Sequence, residues 1–238
     1  MNEADDSTLR RFLRARDLDV KKASCQFLKY LKWRQAFVPK GFISEPEIEK
    51  QLADGKVFMQ GCDKKGRCIV IIFGAKHFSY KRDLDELKRI KFHSTKLWKQ
   101  MQQSDNPIAW TSFVVYTLDK VCASLPSGLG KFIVIADLDG WGYSNCDIRA
   151  YVAALEIMQD CYPERLGKLY IVHAPSIFMA SWKMVYPFID NNTRKKIVFL
   201  GNKELKATLL EDIEESELPE TYGGKMTLIP IQDSKIYA

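Results

Sequence analysis

Four short, almost unbroken apolar runs limit what this chain can become: Ile69–Phe73, Phe132–Ala136, Leu169–Val172 and Ile197–Leu200. All are far too short to cross a bilayer, and none alternates as a strand with one wet face does. Runs of this kind suit strands buried on both faces, as happens when helices cover a mostly parallel sheet. Helical spacing fills the gaps, over Leu84–Gln103, Phe113–Ala123, Cys146–Cys161 and Ile177–Phe188. Ahead of them, Val57–Gln60 and Cys68–Phe73 flank the turn Asp63-Lys64-Lys65-Gly66-Arg67, which predicts a hairpin. The expected fold class is α/β.

The residues before the sheet read differently. Asp5-Asp6-Ser7-Thr8 offers N-caps to a helix carrying Leu9, Phe12 and Leu13. A second helix, Val20 to Phe37, places Ala23, Phe27, Tyr30, Leu31 and Trp33 at helical spacing. Residues 1–40 hold 10 Lys/Arg against 5 Asp/Glu, whereas residues 203–220 hold 2 lysines against 7 acids. The expected organisation is a helical lobe over residues 1–50, a main lobe over 51–227 and a tail over 228–238. A formal charge of +6 suits contact with anionic surfaces but is too diffuse to argue for nucleic acid. The six cysteines form no CxxC pair and the start has no apolar signal region. The expectation is a cytoplasmic monomer with reduced thiols that meets membranes only peripherally.

Chemistry is sparse. Asp137-Leu138-Asp139-Gly140 ends a buried strand and resembles the first motif of haloacid-dehalogenase-type phosphatases. There one carboxylate attacks phosphorus and the other handles the proton, with magnesium. The motif lies past the midpoint, Trp141 replaces the usual Thr or Val, and no later strand ends in paired acids. Capping of the next turn is the expected role. His77, His93 and His173 do not cluster, and no nucleophile has a plausible base, so no catalysis, metal or cofactor is expected. Ser176–Ile189 is apolar on nearly every face, and Asp190-Asn191-Asn192-Thr193-Arg194-Lys195-Lys196 follows it abruptly. A greasy slab ending in hydroxyl and ammonium groups suits an amphiphile with a charged head, and equally a central core helix.

Three longer motifs resemble the CRAL-TRIO family. They are Asp5 to Arg16 with Lys32-Trp33-Arg34, then Tyr162-Pro163-Glu164-Arg165-Leu166-Gly167-Lys168-Leu169-Tyr170-Ile171-Val172-His173-Ala174-Pro175, then Leu218-Pro219-Glu220-Thr221-Tyr222-Gly223-Gly224. Asp137-Leu138-Asp139-Gly140 also lies where that family has a strand ending in Asp-x-x-Gly. The resemblance implies a helical lobe plus an α/β lobe whose sheet floors a lipid pocket, closed by a mobile gate helix at Ile177–Phe188. Ile177, Phe178, Trp182, Val185 and Phe188 are then the gate and pocket lining. In the phosphatidylinositol transfer proteins of the family the inositol-phosphate head is held at positions matching Arg16, Glu164, Thr193 and Lys196. Members that also carry phosphatidylcholine have hydroxyl residues and tyrosines where this chain has Phe132, Val134, Met59 and Val70. Ile90–Ser112 looks like extra sequence relative to the family pattern.

The resemblance therefore implies a carrier that holds one membrane phospholipid as its ligand, phosphatidylinositol first among the choices, and moves or presents it at anionic membranes. A carrier of tocopherol, a retinoid or haem is the alternative, and a magnesium phosphatase using Asp137 and Asp139 a remote one. A diacyl lipid exposes roughly thirty methylenes, so free passage through water costs on the order of 25 kcal/mol. Carriage thus requires an enclosed apolar chamber beneath Ile177–Phe188, with a cationic mouth beside it.

Overall fold

The computed structural model describes residues 5–77, 105–126 and 129–235, with the side chains of 105–108 left aside. Two helices open the chain, α1 (Asp6–Arg14) and α2 (Val20–Phe37). Asp5 accepts from the Thr8 amide at 2.7 Å, and Asp19 caps α2 through the Lys22 amide at 3.0 Å. Each carboxylate satisfies a helix donor that would otherwise lack a partner. The lobe closes on an aromatic cluster in which buried Phe12 lies 5.1 Å from the Phe27 ring and 5.3 Å from Tyr30.

A short helix, α3 (Glu49–Ala53), leads into the hairpin β1 (Val57–Cys62) and β2 (Cys68–Phe73). Asp63 ties the turn by accepting from the Lys65 and Arg67 amides, and Gly66 takes the φ of +74° that the turn requires. There follow α4 (Asp105–Ala123), β3 (Phe132–Asp137), α5 (Ile148–Cys161) and β4 (Leu166–Val172). The chain continues through α6 (Phe178–Val185), α7 (Asn191–Arg194), β5 (Ile197–Leu200) and α8 (Leu205–Asp212). The strands lie in the order β1-β2-β3-β4-β5, antiparallel for the first pair and parallel thereafter.

Register explains the unbroken apolar runs. Met59, Val70, Val134, Leu169 and Ile197 pair in one row across the sheet. The neighbouring row is Phe58, Ile71, Ile135, Tyr170 and Val198, whose side chains point to the other face. The first face is covered by α4 and α5 over β1 to β3, and by α6 over β4 and β5. The second is covered by α8 with Ile213, Leu218 and Tyr222. Neither face meets water over much of its area. Among the described residues no helix is long and apolar enough to cross a membrane.

Two expectations change. The helix expected over Phe113–Ala123 begins eight residues earlier, at Asp105, because Pro107 sits in the first turn, where the missing N–H costs nothing. Within Ile90–Ser112, residues 105–112 form the first part of α4, and Trp110 donates to the Ala150 carbonyl on α5 at 3.3 Å. The rest of that segment, and the whole helix expected over Leu84–Gln103, lie outside the described residues.

A polar knot helps anchor the helical lobe to the sheet lobe. Arg34 on α2 donates to Asp119 on α4 at 2.8 Å and to the Gly41 carbonyl, while the Tyr162 hydroxyl donates to Asp119 at 2.7 Å. Asp119→Ala removes the carboxylate from a largely buried guanidinium and should cost about 3 kcal/mol. Urea unfolding would show this as a lower midpoint at an unchanged slope.

Candidate functional site

The N-terminal ends of three adjacent parallel strands carry a charge cluster. Lys131 immediately precedes β3, Glu164 stands two residues before β4, and Lys196 immediately precedes β5. Parallel pairing sets these ends side by side, and the side chains meet. Glu164 is 3.1 Å from the Lys131 ammonium and 3.7 Å from that of Lys196. Glu164 holds φ at +58°, a left-handed conformation costly for a residue with a Cβ, in the tight turn from α5 into β4.

Thr193 joins the cluster through the backbone. Asp190 caps α7, accepting from the Asn192 and Thr193 amides and from the Thr193 hydroxyl at 2.5 Å. The Lys196 amide then donates to the Thr193 carbonyl at 2.9 Å, which fixes Lys196 one turn from Thr193. Burial pushes the Asp190 carboxyl up, but the hydrogen bonds from Thr193 and Asn192 outweigh it and hold the group below its ordinary value. The Thr193 hydroxyl, having donated inward, keeps its lone pairs for an incoming donor.

Arg16 stands apart from these three. It pairs with Asp160 on the last turn of α5 at 3.7 Å, and both side chains are well exposed. Such a pair is weak, so a stronger anion can replace the carboxylate. Structure therefore brings Glu164 and Lys196 into contact, ties Thr193 to Lys196 through the backbone, and brings Arg16 to the helix that ends at the Glu164 turn.

Two further cations lie nearby that sequence reasoning passed over. Lys131 belongs to Gly128-Leu129-Gly130-Lys131, which resembles a phosphate loop in the wrong context, and only the fold pairs it with Glu164. Arg11, partly buried on α1, donates to the Thr8 hydroxyl at 2.6 Å, while its Nε and Nη1 are buried without a hydrogen-bond partner among the described residues. Burial, reinforced by the neighbouring Arg165 charge, pushes its pKa down to about 10. The alternation of cations in Arg10-Arg11…Arg14…Arg16 was the available signal, but it does not tell which arginine turns inward.

The segment expected as the gate divides into α6 and a 3-10 turn, Tyr186–Phe188. Its five expected lining residues all face the protein. Phe178 and Val185 are buried, and Ile177, Trp182 and Phe188 pack partly buried onto the core. The opposite face is not buried: Met179, Met184 and Tyr186 are all about two-fifths exposed (39%, 46% and 42%).

Beneath this helix the described side chains pack against one another. Phe178 meets Trp141 edge to face at 5.2 Å, and Trp182 meets Phe199 in the same way at 5.2 Å. Leu138 and Ile171 belong to the same buried cluster. The cavity found in this region, about 450 Å³, opens at the C-terminal ends of the strands, at the far end of the sheet from Glu164 and Lys196. Roughly thirty methylenes, each displacing about 30 Å³, need on the order of 900 Å³. A diacyl lipid exceeds the volume of that cavity.

Asp137 has the capping role expected of it. Its Oδ1 accepts from the Asp139 amide at 3.0 Å and lies 2.8 Å from His173 Nδ1, and its Oδ2 accepts from the Tyr222 hydroxyl at 3.0 Å. Both oxygens are engaged and the side chain is buried, which removes the in-line approach a phosphatase nucleophile requires. The four positions that depart from the phosphatidylcholine carriers, Met59, Val70, Phe132 and Val134, form solid core against α4.

Residues 52–224 match the sequence profile described as the CRAL/TRIO domain. A CRAL-TRIO domain-containing protein of Saccharomyces cerevisiae is 31% identical over 98% of this chain and 75% of its own length. The Sec14 cytosolic factor of Schizosaccharomyces pombe is 30% identical over 92% of this chain and 74% of its own. The crystal structure of Sfh5 superposes with a TM-score of 0.59 at 17% identity, over 84% of this chain. This chain spans 65% of the length of that solved chain.

Proposed function

Because this chain belongs to the CRAL/TRIO family, whose Sec14-like members bind and transfer lipids, we propose that it carries one phosphatidylinositol between membranes, or presents it there. The observation that carries this reading is the Glu164–Lys196 contact, with Lys131 and Thr193 around it, at the N-terminal ends of the strands that α6 covers. Two ammonium groups against one carboxylate leave net positive charge, suited to a phosphodiester. Glu164 and the Thr193 hydroxyl oxygen accept hydrogen bonds, suited to the hydroxyls of an inositol ring. Arg16 exchanges its weak Asp160 partner for the phosphate. The set needs no metal and no catalyst.

The closed α6 then has a mechanical role. In water its inner face rests on Trp141 and Phe199, while Met179, Met184 and Tyr186 on the outside remain wet. At an anionic membrane the basic helical lobe is attracted, and the outer face of α6 gains apolar contacts in the headgroup region. Lifting α6 exposes the sheet rows ending at Leu169 and Ile197 and opens the volume that acyl chains occupy. Closure with lipid aboard returns the protein to solution, in keeping with relatives named as cytosolic factors.

Vesicle transfer tests the reading. Labelled phosphatidylinositol should move between vesicles at a rate proportional to protein concentration. Phosphatidylcholine should move at least tenfold more slowly, because Met59, Val70, Phe132 and Val134 leave a choline head no polar contact. Equal rates for the two lipids, or no transfer of either, would contradict it. Co-purification of a tocopherol, retinoid or haem in place of phospholipid would replace the ligand while keeping the carrier.

A further inference from the structure

The cavity at the C-terminal ends of β3, β4 and β5 lies about 20 Å along the strands from the Glu164 cluster, six or seven residues at about 3.3 Å each. Its volume is about 450 Å³, and its lining includes Asp139, His173, Met179, Phe199, Leu200 and Asn202. Space of that size holds about fifteen non-hydrogen atoms at about 30 Å³ each. It is too small for a diacyl lipid and ample for a small amphiphile.

Its polar groups are built rather than incidental. Asp137 is buried at the base of the β3 end and accepts from three groups: the His173 ring, the Asp139 amide and the Tyr222 hydroxyl. Burial pushes the Tyr222 hydroxyl well above its usual pKa, so it stays protonated and donates. A carboxylate facing His173 Nδ1 at 2.8 Å can only accept, so in the neutral ring the proton resides on Nδ1 and Nε2 becomes an acceptor. Tyr222 stacks on the imidazole with centroids 6.4 Å apart, which helps fix the plane of the ring. His173 also holds φ at +52°, a conformation the surrounding contacts must enforce. Among the described residues Nε2 has no hydrogen-bond partner, and the exposed Asp139 side chain has none.

A histidine oriented by a buried carboxylate is half of a hydrolytic triad, but the cavity lining contains no Ser, Thr or Cys to serve as nucleophile. Nor, among the described residues, does any group of three His, Cys, Asp or Glu side chains stand ready for a metal. What remains is a lining that combines acceptors with apolar side chains. Asp139 carries the only fixed charge of the lining, and Met179, Phe199 and Leu200 supply the wall.

We infer that this cavity is a second binding site, for a small organic ammonium ion with an apolar body. The ammonium donates to the Asp139 carboxylate and to His173 Nε2, and the body lies against Met179, Phe199 and Leu200. An anion is disfavoured by Asp139 and by the buried Asp137 beneath it. A neutral alcohol meets the same acceptors without the charge-assisted bond.

The test uses the full chain and three probes of one shape: phenylethylammonium, phenylethanol and phenylacetate. Calorimetry should show the ammonium binding at least tenfold more tightly than either comparator. Amide shift mapping should centre on His173, Gly201 and Asn202. Asp139→Asn, at an exposed position where folding is not at stake, should weaken ammonium binding at least fivefold and leave phenylethanol unchanged. His173→Asn should weaken it as well, since an amide can still donate to Asp137 but offers no Nε2. Phenylacetate or phenylethanol binding as tightly as the ammonium overturns the inference. So does an Asp139→Asn variant of unaltered affinity, a shift map elsewhere on the chain, or no ammonium binding at tens of millimolar. Lipid transfer plays no part in these readings, so they stand or fall separately from the carrier function.

Discussion

Lys196→Ala should lower phosphatidylinositol transfer between vesicles at least tenfold while leaving the unfolding midpoint where it is. Lys196 supplies the ammonium that faces both Glu164 and the proposed phosphate, from a position only 19% exposed. A charge-assisted hydrogen bond contributes about 1.5–3 kcal/mol, which is about 10- to 150-fold in affinity. The fold does not depend on it, because Glu164 keeps Lys131 at 3.1 Å and the backbone bond from residue 196 to Thr193 is untouched. Lys196→Arg, which keeps the charge, should retain most of the transfer. Thr193→Ala should have a smaller effect than Lys196→Ala, since the Thr193 hydroxyl offers only a neutral acceptor beyond its bond to Asp190. A Lys196→Ala protein that transfers at the original rate would mean that the head group is held elsewhere.

Much of the architecture is legible in the residues. The bounds of α2 and β5 coincide with the helical and apolar patterns that predict them, because each pattern is strong and cleanly terminated. The hairpin is legible from Gly66 and Asp63, although β1 runs two residues further than its apolar stretch, to Cys62. The start of α4 is not legible: Pro107 reads as a breaker unless one knows that it falls in a first turn. The helical character of Ile177–Phe188 is plain, but its burial on one face alone is not. An all-apolar pattern is equally consistent with full burial.

The site was legible only through likeness to a family. Nothing in the spacing of Glu164 and Lys196 announces that they touch, since parallel strand ends bring them together across the 31 residues of intervening chain. The same holds for Asp137 and His173, which sit at the ends of adjacent strands in the register Asp137 to Val172. Aligning the ends of the four apolar runs would have shown both clusters, with Lys131, Glu164 and Lys196 at one end and Asp137, Asp139 and His173 at the other. The packing beneath α6 was beyond such reasoning. It depends on how Trp141 and Phe199 fit beneath Phe178 and Trp182, which is a matter of rotamers and not of pattern.

This packing gives α6 its importance in the proposed function, which requires the helix to lift before a diacyl lipid enters. The most direct measurement uses a contact already present: Cys146 Sγ lies 3.1 Å from the Ser181 hydroxyl oxygen, linking α6 to the segment before α5. Ser181→Cys places two sulfurs close enough for a disulfide with little rearrangement. The pair would pin α6 to the protein when oxidised and release it when reduced. Vesicle transfer of phosphatidylinositol is then measured on the same sample before and after reduction. Oxidised protein should transfer no faster than the protein-free background, and reduction should restore the original rate. Undiminished transfer by fully oxidised protein would show that lipid does not enter beneath α6, contradicting the account at its centre.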